Sequence, residues 1–221
     1  MAEYHTVPQT ESIPNTKKRL ADGDHIAGID IGRRWNQIVL CKIRVDSTHP
    51  DGFTIVKWGG IDFSGSDSLT NITRLLCILH EPSLECDYMC IEQQSSRNVW
   101  CFGLSHVLQA YMNLVHPACM VRHVSPRAKF TVLDPYMKFK RGSTYRAQKR
   151  WAVDLCDKLI ENQEATSCDT FNTWEKKDDL ADACLYACAF LRLKRPKRNT
   201  TSSNDAVPRH PPVRPKEDSS G

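Results

Sequence analysis

His25-Ile26-Ala27-Gly28-Ile29-Asp30-Ile31-Gly32 is a short apolar run with one carboxylate near its end and a glycine just beyond. Ile26, Ile29 and Ile31 suit a buried strand, and Gly32 lets the chain turn. This is expected to be the first strand of a sheet. An ionised Asp inside such a strand is costly unless something pairs with it, and metal coordination is one escape. The alternative is an Asp at a strand end that caps a turn. Partners for Asp30 elsewhere in the chain decide between the two.

The surrounding 221 residues suit one domain with a core large enough to need no staples. Apolar content of 40% and charged content of 25% are those of a soluble globular protein. The net charge of +4 permits nucleic-acid binding without requiring it, so the placement of the charges matters more than their sum. Ten cysteines are present, several inside apolar runs, where a free thiol packs as a small hydrophobe. No secretory signal opens the chain and no apolar run is long enough to span a membrane, so reduced thiols and an intracellular site of action are expected. Cys86 with Cys90, and Cys184 with Cys188, have no Cys/His pairs that would complete a zinc site.

Residues 1–24 are polar and aperiodic and are expected to form a flexible arm. Gln37–Val45 and Phe53–Trp58, joined by Pro50-Asp51-Gly52, predict two further strands in an antiparallel meander. A helix is expected after Gly65-Ser66-Asp67, with Leu69, Ile72, Leu76 and Leu79 on one face. Tyr88–Glu92 predicts a fourth strand, Val99–Val115 a second helix, and Cys119–Val124 a fifth strand. A basic segment from Lys138 to Arg150 then leads into a helix carrying Trp151, Leu155 and Leu159. Residues 162–176 resemble a loop, and a last helix spans about Asp178 to Leu193. Residues 194–221 are rich in Ser, Pro and basic residues and are expected to be a disordered tail. The order predicts an α/β domain over 25–193, a five-stranded mixed sheet with helices on both faces.

Carboxylates fall at three telling places: Asp30 in the first strand, Glu92 closing the fourth, and Asp179 with Asp182 on the last helix. Positions i and i+3 share a helix face, so the last two point the same way. N-capping and dipole complementarity account for Asp178 but not for Asp182, one turn further in. If the first and fourth strands are neighbours, four carboxylates converge. Two divalent ions would turn that mutual repulsion into an oxygen-rich site of the kind Mg²⁺ prefers, suited to phosphodiester hydrolysis.

Four segments occur in order: Gly28-Ile29-Asp30-Ile31-Gly32 with Asn36, Ile91-Glu92-Gln93-Gln94, Val124-Ser125-Pro126-Arg127-Ala128-Lys129, and Lys176-Lys177-Asp178-Asp179-Leu180-Ala181-Asp182-Ala183. Together they resemble the RuvC-like Holliday junction resolvases, most of all those of poxviruses and related large DNA viruses. The resemblance implies an RNase H-like fold and a structure-specific endonuclease that resolves four-way DNA by paired symmetric nicks. It implies Asp30, Glu92, Asp179 and Asp182 as acids holding two Mg²⁺, with Mn²⁺ as a substitute. Lys129 matches a family lysine near the scissile phosphate, where its charge offsets that developing on the phosphate; a solvated loop lysine is the plainer account. The two-fold symmetry of the junction implies a homodimer. The Val99–Val115 helix, with Trp100, Phe102 and Tyr111, has more apolar surface than one sheet contact needs and is the expected dimer face.

Lys138, Lys140, Arg141, Arg146, Lys149 and Arg150 lie among Tyr136, Phe139, Tyr145 and Trp151. Such a stretch can bind DNA phosphates and stack a base, or be a solvated helix face. Gln93, Gln94, Arg97 and Asn98 could reach the DNA backbone or cap a helix. A second RNase H-like activity, on flaps or RNA–DNA hybrids, shares the same acids. A sugar-kinase or ATPase reading of Gly-Ile-Asp-Ile-Gly requires a second glycine-rich phosphate loop, and ten dispersed glycines supply none. A DNA-binding protein that had lost catalysis would be expected to lack one of the four acids.

Overall fold

The computed structural model describes residues 20–32, 37–62, 68–81, 84–133, 137–140 and 142–194. Its elements are β1 (His25–Ile31), β2 (Gln37–Val45), β3 (Phe53–Asp62), α1 (Ser68–Leu79), β4 (Tyr88–Glu92), α2 (Val99–Val115), β5 (Met120–Val124), α3 (Ala128–Val132), α4 (Tyr145–Ile160), α5 (Ala165–Thr173) and α6 (Lys177–Lys194). The strands form one sheet in the order β3-β2-β1-β4-β5. β1, β2 and β3 pair antiparallel, as the short turn between β2 and β3 requires, whereas β4 and β5 run parallel to β1 after helical crossovers.

Strand alternation divides β1 between two cores. Ala27, Ile29 and Ile31 face α1 and α2, packing with Leu75, Leu79, Leu104, Leu108 and Met112. Ile26 faces the opposite side, with Tyr88 and Cys90 of β4, and there α6 lies on the sheet. Helices therefore cover both faces, as the sequence predicts. α6 is sandwiched between the sheet and α3, α4 and α5, so every residue from Asp179 to Leu191 is buried.

Gly28 sets how closely α6 approaches. A Cβ there would lie 2.0 Å from the Ala183 carbonyl oxygen and 2.9 Å from the Ala187 nitrogen. Only a hydrogen fits, and the residue before Ala183 is Asp182.

Three expectations need correction. Residues 165–173, expected as part of a loop, form α5, held because Phe171 is fully buried and stacks on Trp58 with ring centroids 5.1 Å apart. Of the expected arm, residues 1–19 lie outside the described residues, but residues 20–24 join the domain. There the Gly23 N–H donates to the Val45 carbonyl (2.9 Å) and the Val45 N–H to the Asp24 carbonyl (2.8 Å). Lys194 closes α6 rather than opening the tail, and residues 195–221 lie outside the described residues. All ten cysteines are free thiols. Among the described residues no helix is long and apolar enough to cross a membrane.

Candidate active site

The parallel register of β1 and β4 pairs Gly28 with Cys90 and Ile29 with Ile91, so one step further Asp30 stands beside Glu92. Both residues are on the α6 face, at the carboxyl ends of neighbouring parallel strands. Such strand ends are where open α/β sheets place their sites. α6 delivers Asp179 and Asp182 to the same place. Its first turn is anchored by the Trp58 indole, which donates to the Leu180 carbonyl (3.2 Å). Asp30, Glu92, Asp179 and Asp182 all line one cleft of about 1010 Å³, together with Lys129, Lys149 and Lys176.

Two lysines neutralise the α6 acids. Lys129, on α3, is only 5% exposed and its ammonium donates to Asp182 Oδ1. Lys149, on α4, donates to Asp182 Oδ2 at 3.0 Å and pairs with Asp178 at 3.0 Å and Asp179 at 3.5 Å. Burial works against the Lys149 charge, but Asp182 and Asp178 outweigh it and raise its pKa. Lys176 adds an ion pair to Asp179 from the rim. Such buried pairs are maintained by geometry, since desolvation consumes most of the Coulomb gain.

Among the described residues no lysine is ion-paired with Asp30, and Lys149 favours its charge only weakly. Burial, and then the Glu92 charge beside it, push its carboxyl well above the ordinary range. Gln94 steadies the other acid by donating to Glu92 Oε2 at 3.1 Å. Among the described residues no three acidic, His or Cys side chains gather tightly enough to cage an ion as they stand. The donor set nevertheless fits a hard cation. It offers carboxylate oxygens from β1, β4 and α6, and beside them the Tyr186 hydroxyl is buried with no group among the described residues in full hydrogen-bond geometry.

The basic stretch divides. Lys149 joins the acids, Lys138, Arg146 and Arg150 line a second, open cavity of about 550 Å³ with Trp151, and Lys140 is exposed. Arg141 lies outside the described residues, as do Tyr136, Trp35 and Asn36. Asn98 is a cap, its side chain accepting from the Cys101 N–H, while Gln93 and Arg97 line the main cleft. The sequence reading missed Lys176 and Tyr186. The i+4 spacing of Tyr186 from Asp182 was the available signal, hidden by the apolar composition around it.

The sheet order, the crossovers and the all-buried last helix define the RNase H-like fold in its RuvC form. Two solved structures share it. The fowlpox virus resolvase, determined with its substrate Holliday junction DNA, matches with a TM-score of 0.54 at 16% identity, over 76% of this chain and 97% of that one. RuvC of Thermus thermophilus matches with a TM-score of 0.51 at 15% identity, over 76% of this chain and 96% of that one. The chain belongs to the Poxvirus A22 protein family, whose model matches residues 24–195. An uncharacterized protein, 97L, of Invertebrate iridescent virus 3 is 30% identical over 110 residues, spanning 49% of this chain and half the length of that protein.

Proposed function

We propose that this chain is an endonuclease that resolves four-way DNA junctions by paired symmetric nicks, acting as a homodimer. One observation carries the reading: on a RuvC-type fold, four carboxylates and two lysines from five separate elements line a single cleft. No single element's stability needs that convergence. It rests also on membership of the Poxvirus A22 family and on the fold shared with a junction-resolving relative.

Asp30, Glu92, Asp179 and Asp182 would hold two Mg²⁺ ions, or Mn²⁺ in their place. When bound, such a pair supplies Lewis-acid stabilisation of the attacking and leaving oxygens of a phosphodiester. The protein's own part is positional. Gly28 and Trp58 fix the height and angle of α6, and β1 and β4 fix the other two acids. Lys129, whose ammonium holds Asp182, would offset charge developing on a phosphate that enters the cleft, and Lys149 would supply a second positive group beside it. Lys138, Lys140, Arg141, Arg146 and Arg150 would bind DNA phosphates further along the backbone, with a salt dependence to match.

The test is cleavage of a synthetic four-way junction with Mg²⁺, beside linear duplex, flap and RNA–DNA hybrid. Symmetric nicks confined to the junction are expected. Asp179→Asn, isosteric and unable to carry the charge, should lower the rate by at least about 100-fold, the scale of losing an electrostatic group in a transition state. Preferential cutting of flap or hybrid would retain the acids and discard the junction.

A further inference from the structure

Tyr186 lies one turn beyond Asp182 on the buried face of α6. It is fully buried, and among the described residues no group meets its hydroxyl in full hydrogen-bond geometry. A buried hydroxyl without a well-formed hydrogen bond is destabilising, and Phe would fill the same space without that cost. The position is not ordinary core. Lys129 Nζ, which holds Asp182, also stands 5.0 Å from the centre of the Tyr186 ring. Burial first, and then the charges of Glu92, Asp182 and Asp30, raise its pKa and keep the phenol protonated, and Glu92 stands close enough to interact with the hydroxyl directly. The hydroxyl is thus a neutral donor beside Glu92, with no acceptor among the described residues in full hydrogen-bond geometry.

The acids near it also have other partners. Glu92 is engaged by Gln94 and lies against Asp30, and Asp182 is engaged by Lys129 and Lys149. We propose that Tyr186 is a positioning residue for the cation site, its hydroxyl donating to the Glu92 carboxylate when that carboxylate would hold a divalent ion. A neutral donor fixes the carboxylate without adding charge beside the ion. Such outer partners of metal-holding carboxylates change affinity by roughly 10–100-fold when removed. The inference rests on the cation-binding reading of the four acids.

Tyr186→Phe separates this role from a packing role, because the two have opposite signs. The experiment measures Mn²⁺ binding to wild type and variant by electron paramagnetic resonance, and melting in EDTA. The expected result is Mn²⁺ affinity at least about tenfold weaker in Tyr186→Phe, with a metal-free melting temperature equal to or above wild type. Equal affinities in the two proteins would overturn the role of Tyr186 and leave the acid site standing. Weaker binding together with a lower metal-free melting temperature would also overturn it, as loss of packing. Wild type that binds no Mn²⁺ would bring down the acid site and Tyr186 together.

Discussion

At Asp30 the fold holds a carboxyl nearly out of water, 6% exposed, beside a second acid. Burial first and Glu92 second raise its pKa, so its sign in the stability balance is unusual for an Asp. Unfolded, it titrates near about 3.9. Between that pH and its higher native value the folded chain keeps a proton that the unfolded chain has lost. Stability therefore falls as pH rises through the window, and the loss persists above it. Asp30→Asn lacks this penalty. In EDTA its melting temperature should exceed that of wild type by a margin that opens as pH climbs from about 4, and Mn²⁺ should narrow the gap by stabilising wild type alone. Parallel pH profiles in EDTA would show that Asp30 is not the strained group. Asp30 was legible because a carboxylate in an Ile-rich strand has few explanations. Lys149 was legible only as a positive charge, since its partners come from α6, and Tyr186 was hidden because a Tyr among Ala, Leu and Cys looks like core.

α6 shows what sequence periodicity can and cannot reveal about an element. Its near-continuous apolar run announced a helix buried all round, and the buried acids followed from that. α5 gave no such signal: in Ala165–Thr173 only Phe171 is buried, and the helix depends on Trp58 to receive it. The closeness of α6 to β1 was also hidden, for Gly28 looks like any strand glycine until the Ala183 carbonyl is placed above it. Gly28→Ala would press a methyl against two backbone groups that cannot rotate away. Overpacking of this kind should cost about 3 kcal/mol, a fall of roughly 6–12 °C in melting temperature for a domain of this size. It should also weaken Mn²⁺ binding, because Asp182 moves with Ala183. A Gly28→Ala protein with wild-type melting and binding would mean that α6 is free to shift without consequence.

For the whole molecule, the proposed action on a two-fold symmetric four-way junction calls for two copies of this cleft held in fixed relation. α2 offers the surface. Trp100, Gly103, Val107, Ala110 and Leu114 repeat at intervals of three and four residues, and all are exposed, Leu114 at 82% and Trp100 at 65%. In the proposed dimer that spacing suits the seam of a helix pair, with two small residues that permit close approach. A Cβ added at Gly103 would meet nothing within 4 Å in its own protomer, so the fold of one copy makes no demand for glycine there. Charges placed on this seam should separate the copies without unfolding either. Val107→Glu with Leu114→Glu is expected to sediment as a monomer with an unchanged far-ultraviolet spectrum, where wild type sediments as a dimer. Its cleavage of a four-way junction should yield single, uncoordinated nicks in place of paired ones, because the second incision then waits for an independent encounter. A doubly charged variant that remains dimeric and still nicks in pairs would place the dimer contact on another face. A monomeric wild type would remove the dimer altogether.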